Sequence, residues 1–96
     1  MFAFDVWTED ESLRVVIFAR GDVHVMDQFI DHHLAMLQSM PGAFSLIRRT
    51  IKREENKEAL REALRRNQPG LGMFMGDRWE IEPIPEMPIP EACSLK

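Results

Sequence analysis

The fold is indicated most clearly by residues 2–20, FAFDVWTEDESLRVVIFAR. Apolar side chains occupy the even positions of residues 2–7 and, after the polar turn 9–12, the odd positions of residues 13–19. A period of two residues is typical of β-strands that place one face on a core. The stretch therefore predicts an N-terminal β-hairpin.

The second face of this predicted hairpin is more apolar than an exposed sheet face normally is. It carries Trp7, Val16 and Phe18 among Asp5, Arg14 and Arg20. We expect this patch to be covered by the C-terminal tail, by a second copy or by a partner. Trp7 and Phe18 are therefore predicted to be partner-binding residues.

Residues 23–40 show helical periodicity, and Asp22 is a suitable N-cap. The apolar side chains spread over about half of the helical circumference, which is wider than packing on one sheet requires. We therefore expect the helix to contact a second surface in addition to the sheet. His33 lies inside this arc and is interpreted either as a core histidine bonded to a backbone carbonyl or as a pH-sensitive contact residue. The predicted dimer contact consists of Phe29, His33, Met36 and Met40.

Pro41-Gly42 ends this helix, and a second helix is predicted from Ala43. Its apolar pattern stops near Arg53 and resumes on another face after Asn56, the predicted cap of a third, short helix. The pattern leaves open whether residues 43–67 form one continuous helix or a broken one.

The C-terminal part predicts a second hairpin and an extended tail. Gly76-Asp77 separates two apolar runs, a strong hairpin signal that places Phe74 opposite Trp79. Four of the six prolines follow, so residues 83–96 cannot form a helix or a central strand. We therefore expect one domain over residues 1–82 and a proline-rich tail over residues 83–96.

These elements predict an α+β fold: an N-terminal β-hairpin, two or three helices and a C-terminal β-hairpin. The four strands are expected to form an antiparallel sheet, with the helices packed on one of its faces.

The chain has 96 residues and a net charge of −4, which disfavours a general binder of nucleic acid or of acidic membranes. Its charge is unevenly distributed, since eight of the twelve basic residues lie in residues 48–66. This segment is either a solvated helix face or a docking surface for an acidic partner. The densest basic residues are Arg48, Arg49, Lys52 and Arg53.

Several classes of protein are disfavoured by simple counts. The single cysteine, Cys93, excludes an internal disulfide and a cysteine-based zinc site. Apolar runs are far shorter than the ~18 residues of a membrane span, and residues 1–5 lack the basic start of a signal peptide. We therefore expect a cytoplasmic protein.

Little in the sequence predicts catalysis or a cofactor. His24, Asp27 and Asp31 share one face of the predicted helix and could hold a divalent cation, but acids near a helix start also favour the helix dipole. Nucleophile elbows and phosphate-binding loops are missing from the sequence. We predict that the protein is not an enzyme and binds no metal or cofactor.

The sequence favours a small non-enzymatic protein–protein interaction module that forms a homodimer and binds a larger protein partner. An inhibitor of that partner, of the phage or mobile-element kind, is the expected role. The predicted partner-binding residues are Arg48, Arg49, Lys52, Arg53, Trp7, Phe18, Ile84 and Met87. The alternative is a winged-helix-like DNA-binding regulator, with residues 56–67 as its reading helix and the C-terminal hairpin as its wing. Membrane binding is not expected.

Overall fold

The computed structural model describes residues 1–87, so Cys93 and the end of the predicted tail lie outside the described residues. The elements follow in the order β1 (Phe2–Thr8), β2 (Arg14–Ala19), α1 (Asp22–Leu37), β3 (Phe44–Arg48), a 3-10 helix (Ile51–Arg53), α2 (Lys57–Arg65), β4 (Gly70–Phe74) and β5 (Trp79–Glu82).

The strands form one antiparallel sheet in the order β3-β1-β2-β4-β5. The predicted N-terminal hairpin lies at its centre, with Phe4 paired to Ile17. Its turn is held by the Thr8 side chain, whose Oγ1 accepts a hydrogen bond from the Leu13 N–H at 3.2 Å. The predicted α+β class with an antiparallel sheet is confirmed.

The two α-helices pack on opposite faces of this sheet, whereas we expected them on one face. Alternate residues of the central hairpin point to opposite sides. Phe4 and Ile17 therefore join Phe29 of α1 in one core cluster, while Phe18 joins Leu60 of α2 in the other. Part of the apolar second face is thus covered by α2 and not by the tail, a second copy or a partner, the three occupants expected from the sequence.

Residues 44–48 form the edge strand β3, so the predicted helix from Ala43 is wrong and the sheet has five strands rather than four. The neighbouring β1 supplies ladder hydrogen bonds, and Phe44 and Leu46 pack on the α1 side of the sheet. The predicted break before α2 is confirmed, since Asn56 Oδ1 caps the helix by accepting from the Ala59 N–H at 3.1 Å. Residues 1–87 therefore lack the three-helix arrangement of a winged-helix domain.

Helix α1 differs slightly from its prediction at both ends. Gly21 is the N-cap and Asp22 is the first helical residue. The helix ends at Leu37, because Gln38 adopts a left-handed conformation with φ of 59° before Pro41 is reached.

The start of the tail packs back onto the domain. Ile84 packs against the core cluster under α1, and the Met87 N–H donates to Asp31 Oδ1 at 3.2 Å. The wide apolar arc of α1 therefore touches both the sheet and the chain's own tail. Residues 83–87 belong structurally with the domain that was expected to end at residue 82.

The C-terminal hairpin agrees with its prediction. Phe74 pairs with Trp79, and the two ring centroids lie 5.2 Å apart. The Met75 N–H donates to the Arg78 carbonyl at 2.8 Å across Gly76-Asp77, and Gly76 has the positive φ of 99° that glycine tolerates. Among residues 1–87, neither α-helix has the length and apolar character needed to cross a membrane.

Candidate functional site

The four basic residues predicted to bind a partner lie where β3 ends and the chain turns towards α2. Arg48 is the last residue of β3, and Lys52 and Arg53 lie in the 3-10 helix that follows. Arg48, Lys52 and Arg53 are exposed, whereas Arg49 is partly buried. We call Arg48, Lys52 and Arg53 the basic rim.

Arg49 is used inside the molecule. Its Nε donates to Asp5 Oδ2 and its Nη1 donates to Glu54 Oε2, both at 3.0 Å. The guanidinium carbon also lies 5.2 Å from the centroid of the Trp79 ring. Arg49 therefore joins the sheet to the segment before α2.

The basic rim makes no ion pair with an acidic side chain among residues 1–87. The Arg48 guanidinium instead lies 4.9 Å from the centroid of the Phe2 ring. A groove of about 590 Å³ runs beside the rim, and its two acidic residues, Asp5 and Glu54, are both bonded to Arg49. The surface left for a partner is therefore positively charged.

The strand next to the rim has an open edge. The Arg49 N–H donates to the Ala3 carbonyl at 2.8 Å and the Glu9 N–H donates to the Ala43 carbonyl at 3.1 Å. Since hydrogen-bonded pairs alternate in an antiparallel ladder, Ser45 and Ile47 face β1 with their backbone groups. The backbone groups that point away from the sheet belong to Phe44, Leu46 and Arg48.

The opposite edge of the sheet is partly closed. The Trp79 carbonyl on β5 accepts a hydrogen bond from Arg66 Nη2 at 2.7 Å. Pro83, which has no N–H, follows directly after β5. Of the two edges that residues 1–87 present, β3 offers more free backbone groups.

The two aromatic residues predicted to bind a partner do not form a common surface with the rim. Phe18 is fully buried under α2, which corrects its assignment as a surface contact. Trp7 is half-buried, and the Arg14 guanidinium lies 4.8 Å from its ring centroid.

The two tail residues predicted to bind a partner make intramolecular contacts. Ile84 packs into the α1-side core and Met87 lies against α1. The eight predicted partner-binding residues are therefore spread over three regions, and the structure brings together only the basic ones.

The predicted dimer contact is divided in the same way. Phe29 and His33 are buried on the inner face of α1, while Met36 and Met40 are exposed. The core interpretation of His33 is confirmed, since its Nδ1 donates to the Ser39 carbonyl at 2.6 Å. Burial, together with the neighbouring His33, lowers the pKa of His32 below its usual 6.5.

The residues considered as metal ligands have structural hydrogen bonds. His24 Nδ1 accepts from the Arg20 N–H at 3.0 Å, and Asp31 accepts from the Met87 N–H at 3.2 Å. Among residues 1–87, histidine, cysteine, aspartate and glutamate side chains form no group of three or more that could hold a metal ion.

Ile47 and the open backbone groups of β3 are not indicated by the sequence pattern, because the spacing of apolar residues in 43–53 predicts a helix. The signal present was a short alternation over Phe44, Ser45 and Leu46, which the apolar Ile47 interrupts. The i, i+3 spacing of Phe44 and Ile47 obscured it.

The chain matches no family model, and no curated protein or solved structure shows significant similarity to it.

Proposed function

We propose that this protein is a small non-enzymatic interaction module that binds an acidic segment of a larger protein partner at the basic rim. One observation carries the proposal: Arg48, Lys52 and Arg53 are exposed around one groove, and residues 1–87 supply no carboxylate that pairs with them. Opposite charge on a partner speeds encounter and selects orientation.

The basic residues in and next to α2 provide an internal comparison. Arg61 pairs with Glu58 and Arg66 with Glu62, both at 2.6 Å, whereas Lys57 and Arg65 make no ion pair among residues 1–87. A missing ion pair therefore does not by itself distinguish the basic rim. The rim differs because its three cations lie within six residues of sequence and line one groove, whose two carboxylates are already bonded to Arg49. This arrangement favours a docking role for the rim over a role in solubility alone.

Three further predictions from the sequence belong to this proposal and stay predictions. They are a cytoplasmic location, a role as an inhibitor of the phage or mobile-element kind, and homodimer formation. Of the predicted dimer residues, Met36 and Met40 are the ones exposed for a second copy. Sedimentation velocity of the full-length protein measures whether it self-associates.

The binding test uses a fluorescein-labelled peptide of alternating glutamate and valine, with a lysine–valine peptide for comparison. We expect the glutamate peptide alone to bind, with an affinity that falls as salt is added. Binding of the lysine peptide with equal affinity, or of random duplex DNA in preference to both peptides, would contradict the proposal.

Two triple variants with the same change of net charge separate the rim from general electrostatics. Arg48→Glu, Lys52→Glu and Arg53→Glu together should weaken binding at least about tenfold. Arg20→Glu, Arg61→Glu and Arg65→Glu together reverse exposed charges elsewhere and should change binding by less than about twofold. Equal losses in both triples would show that the rim is not the docking surface.

A further inference from the structure

We infer that the acidic segment binds as an added strand on the open edge of β3, extending the sheet to six strands. The inference rests on the proposed function and assigns its mode of recognition. An exposed sheet edge can pair with an extended peptide through backbone hydrogen bonds, while alternate side chains provide specificity.

The backbone of β3 is available for this pairing. Phe44, Leu46 and Arg48 direct their N–H and C=O groups away from β1, and none of these groups is hydrogen-bonded to another element of residues 1–87. Proteins usually protect a sheet edge with charge, with proline or with a covering element. At β3 the protecting charge is Arg48, a member of the basic rim. Its positive charge disfavours pairing with uncharged or basic strands, but it attracts the carboxylates of an acidic strand.

The other edge makes a poor alternative. On β5, Arg66 occupies the outward carbonyl of Trp79 at 2.7 Å, and Pro83 interrupts the run of N–H donors. Glu80 and Glu82 are exposed on the same strand and would repel an acidic segment. The observations therefore assign the added strand to β3.

The side chains of β3 define what the added strand must carry. Ile47 is 56% exposed and points to the α2 side of the sheet, where it lines the groove beside the rim. Arg48 points to the other side, over Phe2. An extended segment with an apolar side chain beside Ile47 and a carboxylate beside Arg48 satisfies both faces.

A second copy of this chain fits the edge less well. Strand β3 reads Phe-Ser-Leu-Ile-Arg and contains no acid, so pairing two β3 strands would supply Arg48 with no carboxylate. The occupant that the charges favour is therefore an acidic extended segment of a different protein.

Amide hydrogen exchange of the full-length protein, followed by NMR, tests the mode directly. In the free protein, the amides of Phe44, Leu46 and Arg48 should exchange faster than those of Ser45 and Ile47, which are bonded to β1. Saturation with the glutamate–valine peptide should slow the first three at least about tenfold and leave the other two nearly unchanged. Binding without this protection would overturn strand addition.

Two versions of the peptide give an independent test. In one version the glutamate amides are N-methylated, and in the other the valine amides are. Because alternate amides of an added strand face β3, one version should lose at least about tenfold in affinity and the other less than about twofold. Equal losses, or no loss in either version, would count against an added strand.

A pair of substitutions tests the same contact from the protein side. Arg48→Ala and Arg48→Pro both lack the guanidinium, but Arg48→Pro also lacks the outward N–H. Proline is tolerated at an edge position whose N–H points outward, and circular dichroism verifies the fold of both variants. Arg48→Pro should bind the peptide more weakly than Arg48→Ala, and equal affinities would contradict the inference.

The outcomes distinguish the two proposals. If the glutamate peptide binds in a rim-dependent way but neither amide test responds, strand addition is wrong and the proposed function stands. If the peptide does not bind at all, the proposed function itself fails. If the amides of Phe44, Leu46 and Arg48 become protected as protein concentration rises without peptide, the occupant is a second copy and the inference is overturned.

Discussion

Arg49 stabilises the junction between the sheet and the segment that precedes α2. Its partners Asp5 and Glu54 have side chains that are only 21% and 16% exposed. Arg49→Ala would leave both carboxylates without their cation, so we expect the free energy of unfolding to fall by about 2 kcal/mol. Urea denaturation measures this difference.

Two neighbouring substitutions control this prediction. Arg49→Lys keeps the charge but cannot hold two carboxylates with a planar fork, so its loss should be intermediate. Arg53→Ala removes an exposed cation that lacks an ion pair and should change stability by less than about 0.5 kcal/mol. If Arg53→Ala lowers the free energy of unfolding as much as Arg49→Ala does, the stabilising role assigned to Arg49 is wrong.

Gly72 is required because the Phe18 side chain packs closely over its Cα. A Cβ at this position would lie 2.5 Å from Phe18 Cε1, and Phe18 is fully buried. Gly72→Ala should therefore destabilise the protein by about 1–3 kcal/mol. Gly42→Ala, where nothing lies within 4 Å of the added Cβ, should be nearly neutral by the same denaturation assay.

Asp10 gives the β1–β2 turn a dependence on pH. The Ser12 N–H, with further hydrogen bonds from the Thr8 and Ser12 side chains, lowers the pKa of Asp10 from 3.8 to about 2. The folded protein thus prefers the carboxylate, whose contribution is present above pH 3.8 and is lost as the pH falls through about 2.

Asp10→Asn keeps an oxygen that can accept from Ser12 but removes the titration. The difference in Tm between the wild type and Asp10→Asn should therefore shrink as the pH falls from about 4 to about 2. Thermal unfolding followed by circular dichroism measures it, and parallel profiles for the two proteins would refute the assignment.

At the scale of elements, α2 depends on its cap because it is short. The helix spans Lys57–Arg65, and Asn56 Oδ1 bonds the Ala59 N–H at 3.1 Å. We expect Asn56→Ala to lower the free energy of unfolding by about 1 kcal/mol. Lys57→Ala, at the exposed first position, should leave it almost unchanged, and a comparable loss there would argue against the cap.

The two segments with ambiguous patterns show why local spacing was insufficient. In residues 44–48, the apolar residues fit a helical spacing, and the strand alternation that begins at Phe44 is interrupted at Ile47. The hydrogen bonds offered by β1 decide for the strand. In residues 71–82 the Gly76-Asp77 turn fixed the pairing locally, so the expected match of Phe74 with Trp79 is correct.

At the scale of the whole molecule, the tail completes the core on the α1 side. Ile84 packs against the cluster that contains Phe4 and Phe29. Ile84→Ala should lower the free energy of unfolding by about 1–3 kcal/mol, because burial at this site is partial. Pro85→Ala, which changes an exposed residue, should have little effect, and similar losses for both would mean that the tail does not pack as described.

The distribution of apolar side chains indicated how many surfaces pack against each other in the whole molecule. The excess of apolar side chains on the second sheet face and on α1 indicated more contacts than one helix–sheet interface provides. Both surpluses are partly used within the chain, by α2 and by residues 83–87 respectively. What the fold leaves outside is the basic rim and the edge of β3.

Local patterns along the chain were enough to predict the two hairpins, the helix over most of residues 22–37, the cap at Asn56 and the concentration of positive charge after residue 47. Each depends on neighbours in the chain, through alternation, turn chemistry, periodicity or a cap. The tertiary structure alone decided that residues 44–48 form a strand, that α1 and α2 lie on opposite faces, and that Arg49 is bonded inward while the rim is not. Those outcomes depend on hydrogen bonds and packing between residues far apart in the chain, such as Asp5 with Arg49, which local patterns do not encode.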